Sequence, residues 1–146
     1  MFNLKDTKDD GGFTPIPPQD YPAFIEKAEW LTSKAGADYL NIKFKIFGEV
    51  YANRVVFHIL NLMHPKDQVK NIAMVDLKRM MVAAGFNEDK LTFTSKEELI
   101  DALLTVRVTI KVGIKKDEYG EKNIIKGYSP LSEESSQLFN KDEIPF

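Results

Sequence analysis

The chain has no cysteine among its 146 residues. That excludes disulfides, thiolate zinc sites and cysteine nucleophiles. No apolar run approaches the ~18–20 residues of a membrane span, and the start MFNLKDTKDDGG holds no apolar stretch of the signal-peptide kind. Histidine is nearly absent as well. His58 falls in a strand-like stretch and His64 just before a proline, without the i, i+4 spacing of a helical metal site. The Gly-rich phosphate loop of nucleotide-binding enzymes is missing. Glu97-Glu98 fits a helix start better than acid–base work. The sequence therefore provides no catalytic set, no metal site and no cofactor motif, and reads as a cytoplasmic non-enzyme without a membrane partner.

What is present is enough for one domain: 43% hydrophobic residues for a core and 29% charged residues for solubility. The net charge of −2 is unevenly spread. Residues 1–20 carry −2 and residues 129–146 carry −3, whereas residues 21–128 hold 17 basic and 14 acidic residues, hence +3. A mildly basic body between two acidic ends suits a binder with a positive groove, which acidic tails can mask.

Periodicity divides the chain into an irregular arm over 1–20, a domain over 21–128 and an acidic tail over 129–146. The arm holds Gly11-Gly12, Pro15, Pro17 and Pro18. A first strand is expected over 21–32, with Ala23, Ile25, Lys27, Glu29 and Leu31 alternating against Phe24, Glu26, Ala28 and Trp30. In a second strand, 39–47, Leu40, Ile42, Phe44 and Ile46 share one face, and Tyr39, Asn41, Lys43, Lys45 and Phe47 share the other. A third strand covers 54–62. The period then becomes helical from about 66 to 84, with Gly85 as the stop. Ser95 and Glu98 form a capping-box pattern for a short helix ending near Leu103. Strand periodicity returns over 104–116 and again over 122–128. Three strands, a helical insertion and two strands make the chain mainly β, in the order of a five-stranded OB-fold-like barrel with helices between strands 3 and 4. An α+β sheet with the same element order is the alternative.

Single-strand binders combine cations for phosphates with flat side chains for bases, and OB-folds place this chemistry on the second and third strands. Tyr39, Lys43, Lys45 and Phe47 supply it on the second strand. Arg54 shares a face with His58 on the third strand if Val55, Phe57 and Ile59 point inward. Arg107, Lys111 and Lys115 form a further basic row, and Tyr119 and Lys122 flank the loop between the last strands. Trp30 precedes the first loop, where it can stack or pack. Solvated lysine faces and packed aromatics are the plainer reading of each residue alone.

Two resemblances sharpen this expectation. The stretches Tyr39-Leu40-Asn41-Ile42, Arg54-Val55-Val56-Phe57, Asn61-Leu62 and Ala83-Ala84-Gly85 are similar to a family of small bacteriophage proteins of unknown function, found among replication and recombination genes. Tyr119-Gly120-Glu121-Lys122-Asn123 and Ile125-Lys126-Gly127-Tyr128 continue the pattern. The similarity implies a role in phage DNA metabolism within the host cytoplasm. The ending Asp142-Glu143-Ile144-Pro145-Phe146 resembles the acidic-hydrophobic tip of bacterial single-stranded-DNA-binding proteins. That implies recruitment of phage or host replication, recombination or repair proteins. Lys141 interrupts the acidic run, and the body lacks the bacterial protein's sequence, so tetramerisation does not carry over and the oligomeric state stays open.

The expected function is single-stranded DNA binding largely without sequence preference, with the tip recruiting partners. The rival is an interaction adaptor of the same machinery without intrinsic DNA binding; a phage structural protein is a third reading.

Overall fold

A computed structural model describes residues 15–48, 50–118 and 120–132. Strands β1 (Asp20–Thr32), β2 (Asp38–Ile46) and β3 (Val55–Leu60) come first. Helices α1 (Asp67–Ala83) and α2 (Lys96–Leu103) follow, separated by a short 3-10 turn at Glu88–Lys90. Strands β4 (Arg107–Asp117) and β5 (Gly120–Ser129) complete the fold. The five strands form one antiparallel sheet in the order β3-β2-β1-β4-β5. Placing β4 beside β1, after a long connection, is Greek-key connectivity.

The sheet is open. A closed barrel needs a β3–β5 ladder, and no such pairing forms among the described residues. A cleft of about 430 Å³ lies between these edges instead. Part of the expected irregular arm fills its rim, and Ile16 is only 1% exposed. The Ile16 N–H donates to Asn123 Oδ1 at 2.9 Å, and Asn123 Nδ2 donates back to the Ile16 carbonyl at 3.0 Å. These side-chain amide bonds hold the arm beside β5 and satisfy the Ile16 backbone groups.

The helical layer covers one face of the sheet. Alternation puts Leu40, Ile42, Phe44 and Ile46 of β2 into the core beside Val108, Ile110 and Val112 of β4. From α1, Ala73, Leu77, Met80 and Met81 meet them, a 3.6-residue stripe. The helical spacing of apolar residues over 66–84 also includes Ile72, but it lies off the buried stripe and is exposed. Gly85 ends the helix at φ +101°, where the Phe86 N–H reaches the Met81 carbonyl and the Gly85 N–H reaches that of Val82. This is a Schellman closure, which favours glycine because it has no Cβ. Ser95 caps α2 by accepting the Glu98 N–H at 3.0 Å. The capping box is not reciprocal, because the Glu98 carboxylate accepts instead from the Thr94 hydroxyl at 2.6 Å.

Two strand faces differ from the sequence expectation. In β1 the pairing with β2 shifts between Ile25 and Lys27. The extra residue, Glu26, makes a bulge that reverses the alternation beyond it. Ala28 and Trp30 consequently pack against the core, on the side of Ala23 and Ile25. In β3 the inward residues are Val56, His58 and Leu60, whereas Phe57 is 58% exposed and Ile59 is 53% exposed. Arg54 and His58 therefore do not share an outward face.

Candidate nucleic-acid interface

Strand register assembles an outward face opposite the helices. Lys45 pairs with Val55 on one side and with Phe24 on the other. Phe24 in turn pairs with Arg107. Directly paired residues point to the same side, so Val55, Lys45, Phe24 and Arg107 form one row across four strands. At about 4.8 Å per strand, the row spans about 14 Å. The neighbouring pair, Lys43 and Phe57, places a cation beside an exposed ring, and Asn41 with Ile59 extends this surface.

Glu26 controls the charge here. The bulge turns its carboxylate to the same surface, where it meets Lys43 Nζ at 2.8 Å and Lys45 Nζ at 3.0 Å. The Lys43 hydrogen bond, then that of Lys45, holds the Glu26 carboxyl below its ordinary pKa. Both expected phosphate-binding lysines are thus already paired with a carboxylate. An incoming phosphate would have to replace or share it.

The remaining expected residues are dispersed. Tyr39 is half-buried on β2. Phe47 lies beyond the strand, buried, with its ring 6.3 Å from that of Phe24. At 7% exposure it packs beside Phe24 and offers no open stacking surface. Trp30 is on the helical side of the sheet, beneath Lys96, whose Nζ stands 4.8 Å from the ring centre. Arg54 and Lys122 line the β3–β5 cleft from opposite edges. Lys111 is exposed on β4, its stem lying against Gly127. Lys115 pairs directly with Lys122 across the β4–β5 hairpin, and neither forms an ion pair among the described residues. Like charges face to face are unfavourable alone, so this pair suits an anionic neighbour. Tyr119 and the tip residues Asp142, Glu143, Ile144, Pro145 and Phe146 lie outside the described residues.

Sequence reasoning missed Phe57, Ile59, Phe24 and Glu26. In Val55-Val56-Phe57-His58-Ile59-Leu60, five of six residues are apolar, so alternation could not choose the outward face. A charged residue interrupting the first strand was the available sign of the bulge.

Behind the cleft, His58 Nε2 lies 2.6 Å from Asp76 Oδ2 of α1. The Tyr128 ring meets His58 edge-on, with ring centres 6.3 Å apart. Burial, with the nearby Asp76 charge, raises the pKa of the Tyr128 hydroxyl. This cluster links β3, α1 and β5 across the open seam. His64, the other histidine, accepts the Lys66 N–H through Nδ1 at 3.0 Å, just ahead of α1. Among the described residues no group of three or more His, Cys, Asp or Glu side chains could hold a metal ion, and no helix is long and apolar enough to cross a membrane.

The profile of a family described as "Protein of unknown function (DUF669)" matches residues 2–137. The chain belongs to this family. DUF669 membership covers the whole sheet and both helices, so the outward face and the seam lie within the shared region. No curated protein matches the chain.

Proposed function

We propose that this DUF669 protein binds single-stranded DNA along the outward face of β1 to β4, largely without sequence preference. The observation that carries the proposal is the interleaving of cations and rings on that face: Lys45 and Arg107 flank Phe24, and Lys43 stands beside the exposed Phe57. Phosphates would follow the cations and bases would lie on the rings, with stacking contributing about 1–3 kcal/mol per base. The Greek-key order with a helical insertion supports reading the sheet as an OB-fold with its seam between β3 and β5 left open. On the resemblance to phage replication and recombination proteins, the setting is DNA metabolism in a bacterial host's cytoplasm. Residues 142–146 would recruit phage or host partner proteins there.

The test is a titration of labelled oligo(dT) and duplex DNA at about 50 mM salt, where phosphate contacts are strong. Tight oligo(dT) binding, weaker duplex binding and affinity falling with salt are expected. No measurable oligo(dT) binding would overturn the proposal.

The Glu26 bridge favours one rival. Lysines already neutralised beside exposed Phe57 and Ile59 also suit a protein partner with an apolar patch. Replacing Lys43 and Lys45 together with glutamine separates the two, weakening oligonucleotide binding in the first reading and sparing it in the adaptor reading.

A further inference from the structure

On the opposite side of the molecule, α1, the 3-10 turn and the start of α2 enclose a second concavity of about 700 Å³. That volume is typical of a ligand site. Its apolar lining includes Trp30, Met63, Met74, Met81, Leu91 and Phe93. Methionine side chains are flexible and polarizable and so adapt to irregular apolar guests. Met63 and Met74 are each about half exposed, so the groove opens to solvent.

Its rim is cationic. Lys70, Lys78 and Lys96 line it against one carboxylate, Glu88. Glu88 is engaged by Lys78 at 2.8 Å, and Lys96 is held over Trp30 by Asp38. Lys70 has no ion-pair partner among the described residues. This lining suits an occupant that is apolar at its centre and acidic beside it.

The chain contains such a segment: Asp142-Glu143 followed by Ile144-Pro145-Phe146. The geometry points to residues 142–146 of the same molecule as the occupant, with Ile144 and Phe146 in the groove and Asp142 and Glu143 at the lysine rim. The distance allows it. Strand β5 ends at Ser129, opposite Thr109 and two positions along β4 from Arg107, the partner of Phe24. Phe24 and Trp30 are six residues apart on β1, about 20 Å. The nine residues 133–141 can extend about 30 Å. The docked segment would be withheld from other proteins until displaced. This assignment does not depend on DNA binding, and its test contains no nucleic acid.

Trp30 is the chain's one tryptophan and sits in the groove, so its fluorescence reports occupancy. The full chain is compared with a version ending at Lys141, and a synthetic peptide of residues 133–146 is titrated into the shortened protein. Truncation is expected to red-shift Trp30 emission and increase its quenching by acrylamide, and the peptide should reverse both saturably. A peptide carrying Phe146→Ala should bind about tenfold more weakly, the loss expected when a buried ring is cut back. Met74→Lys, a change at a solvent-exposed groove position, should make the full chain behave like the shortened one. Identical emission and quenching with and without residues 142–146, together with no peptide response, would overturn the assignment. So would a dimer that truncation dissolves, since the groove would then hold a second copy's segment.

Discussion

Lys43 stands directly opposite Phe57 across the β2–β3 ladder, so a cation and a solvent-facing ring form a single cross-strand pair. In the proposed complex this pair holds one nucleotide by both its phosphate and its base. Replacing Phe57 with alanine should cost about 1–3 kcal/mol of oligo(dT) affinity, the range for one stacked base. Because the ring is mostly exposed, the melting temperature should scarcely change. Fluorescence anisotropy and a thermal melt on the same sample check both halves. Phe44→Ala, by contrast, removes a fully buried ring and should cost about 3–5 kcal/mol of stability.

Glu26→Gln should raise affinity for oligo(dT), because it frees Lys43 and Lys45 from a carboxylate that competes with phosphate. The dependence on salt should steepen, since each additional phosphate contact adds about 0.7 to the logarithmic slope for single strands. Affinity measured from low to physiological salt reads both effects. An unchanged slope would mean that neither lysine meets a phosphate.

The same bridge has a pH signature. In the folded chain the Glu26 carboxyl titrates below its ordinary value of 4.5, through its bond to Lys43 and then Lys45. A depressed folded-state pKa favours the folded chain above the unfolded value, and that contribution disappears as pH falls through the folded value. Melting temperatures recorded downward from pH 7 should therefore begin to fall near pH 4.5, and Glu26→Gln should flatten part of the decline. The effect is modest because the side chain is 32% exposed and the pair is screened.

The open seam gives a fourth prediction. His58→Ala leaves the half-buried Asp76 carboxylate without its 2.6 Å partner and removes a ring from Tyr128. A buried acceptor left unpaired costs about 1–3 kcal/mol, and Asp76, 29% exposed, should fall at the low end. Hydrogen exchange should accelerate in β3 and β5 before it does in β1 and β2. Uniform acceleration across the sheet would show that the cluster is not a local clasp.

Element order was legible where a segment had a clear period or a marked end. The Leu40-to-Ile46 alternation fixed β2, the recurrence from Ala73 to Met81 fixed α1, and Gly85 and Ser95 marked helix ends. The outward site was less legible. Its second-strand lysines followed from alternation, but the carboxylate that neutralises them comes from another strand, through a bulge marked only by a charge within that strand. Phe57 was hidden because β3 is apolar on both faces, so the side bearing His58 resembled the polar one. In the structure His58 turns inward because Asp76 on α1 supplies its partner there. Closure did not follow from strand count: among the described residues β3 and β5 stay unpaired, and the Ile16 backbone, held by the Asn123 side chain, sits at that seam.

The bulge at Glu26 also has a consequence for parity. Phe24 and Trp30 are an even number of residues apart, so an uninterrupted strand would present both on one side. One surplus residue sends the first ring to the outward face and the second to the methionine-lined groove, making β1 a common wall with a different tenant on each side. Losing a single residue at that point would exchange the two sides over the remainder of the strand. Lengthening or shortening a surface loop would have no such effect, so the spacing between Phe24 and Trp30 matters to both surfaces at once.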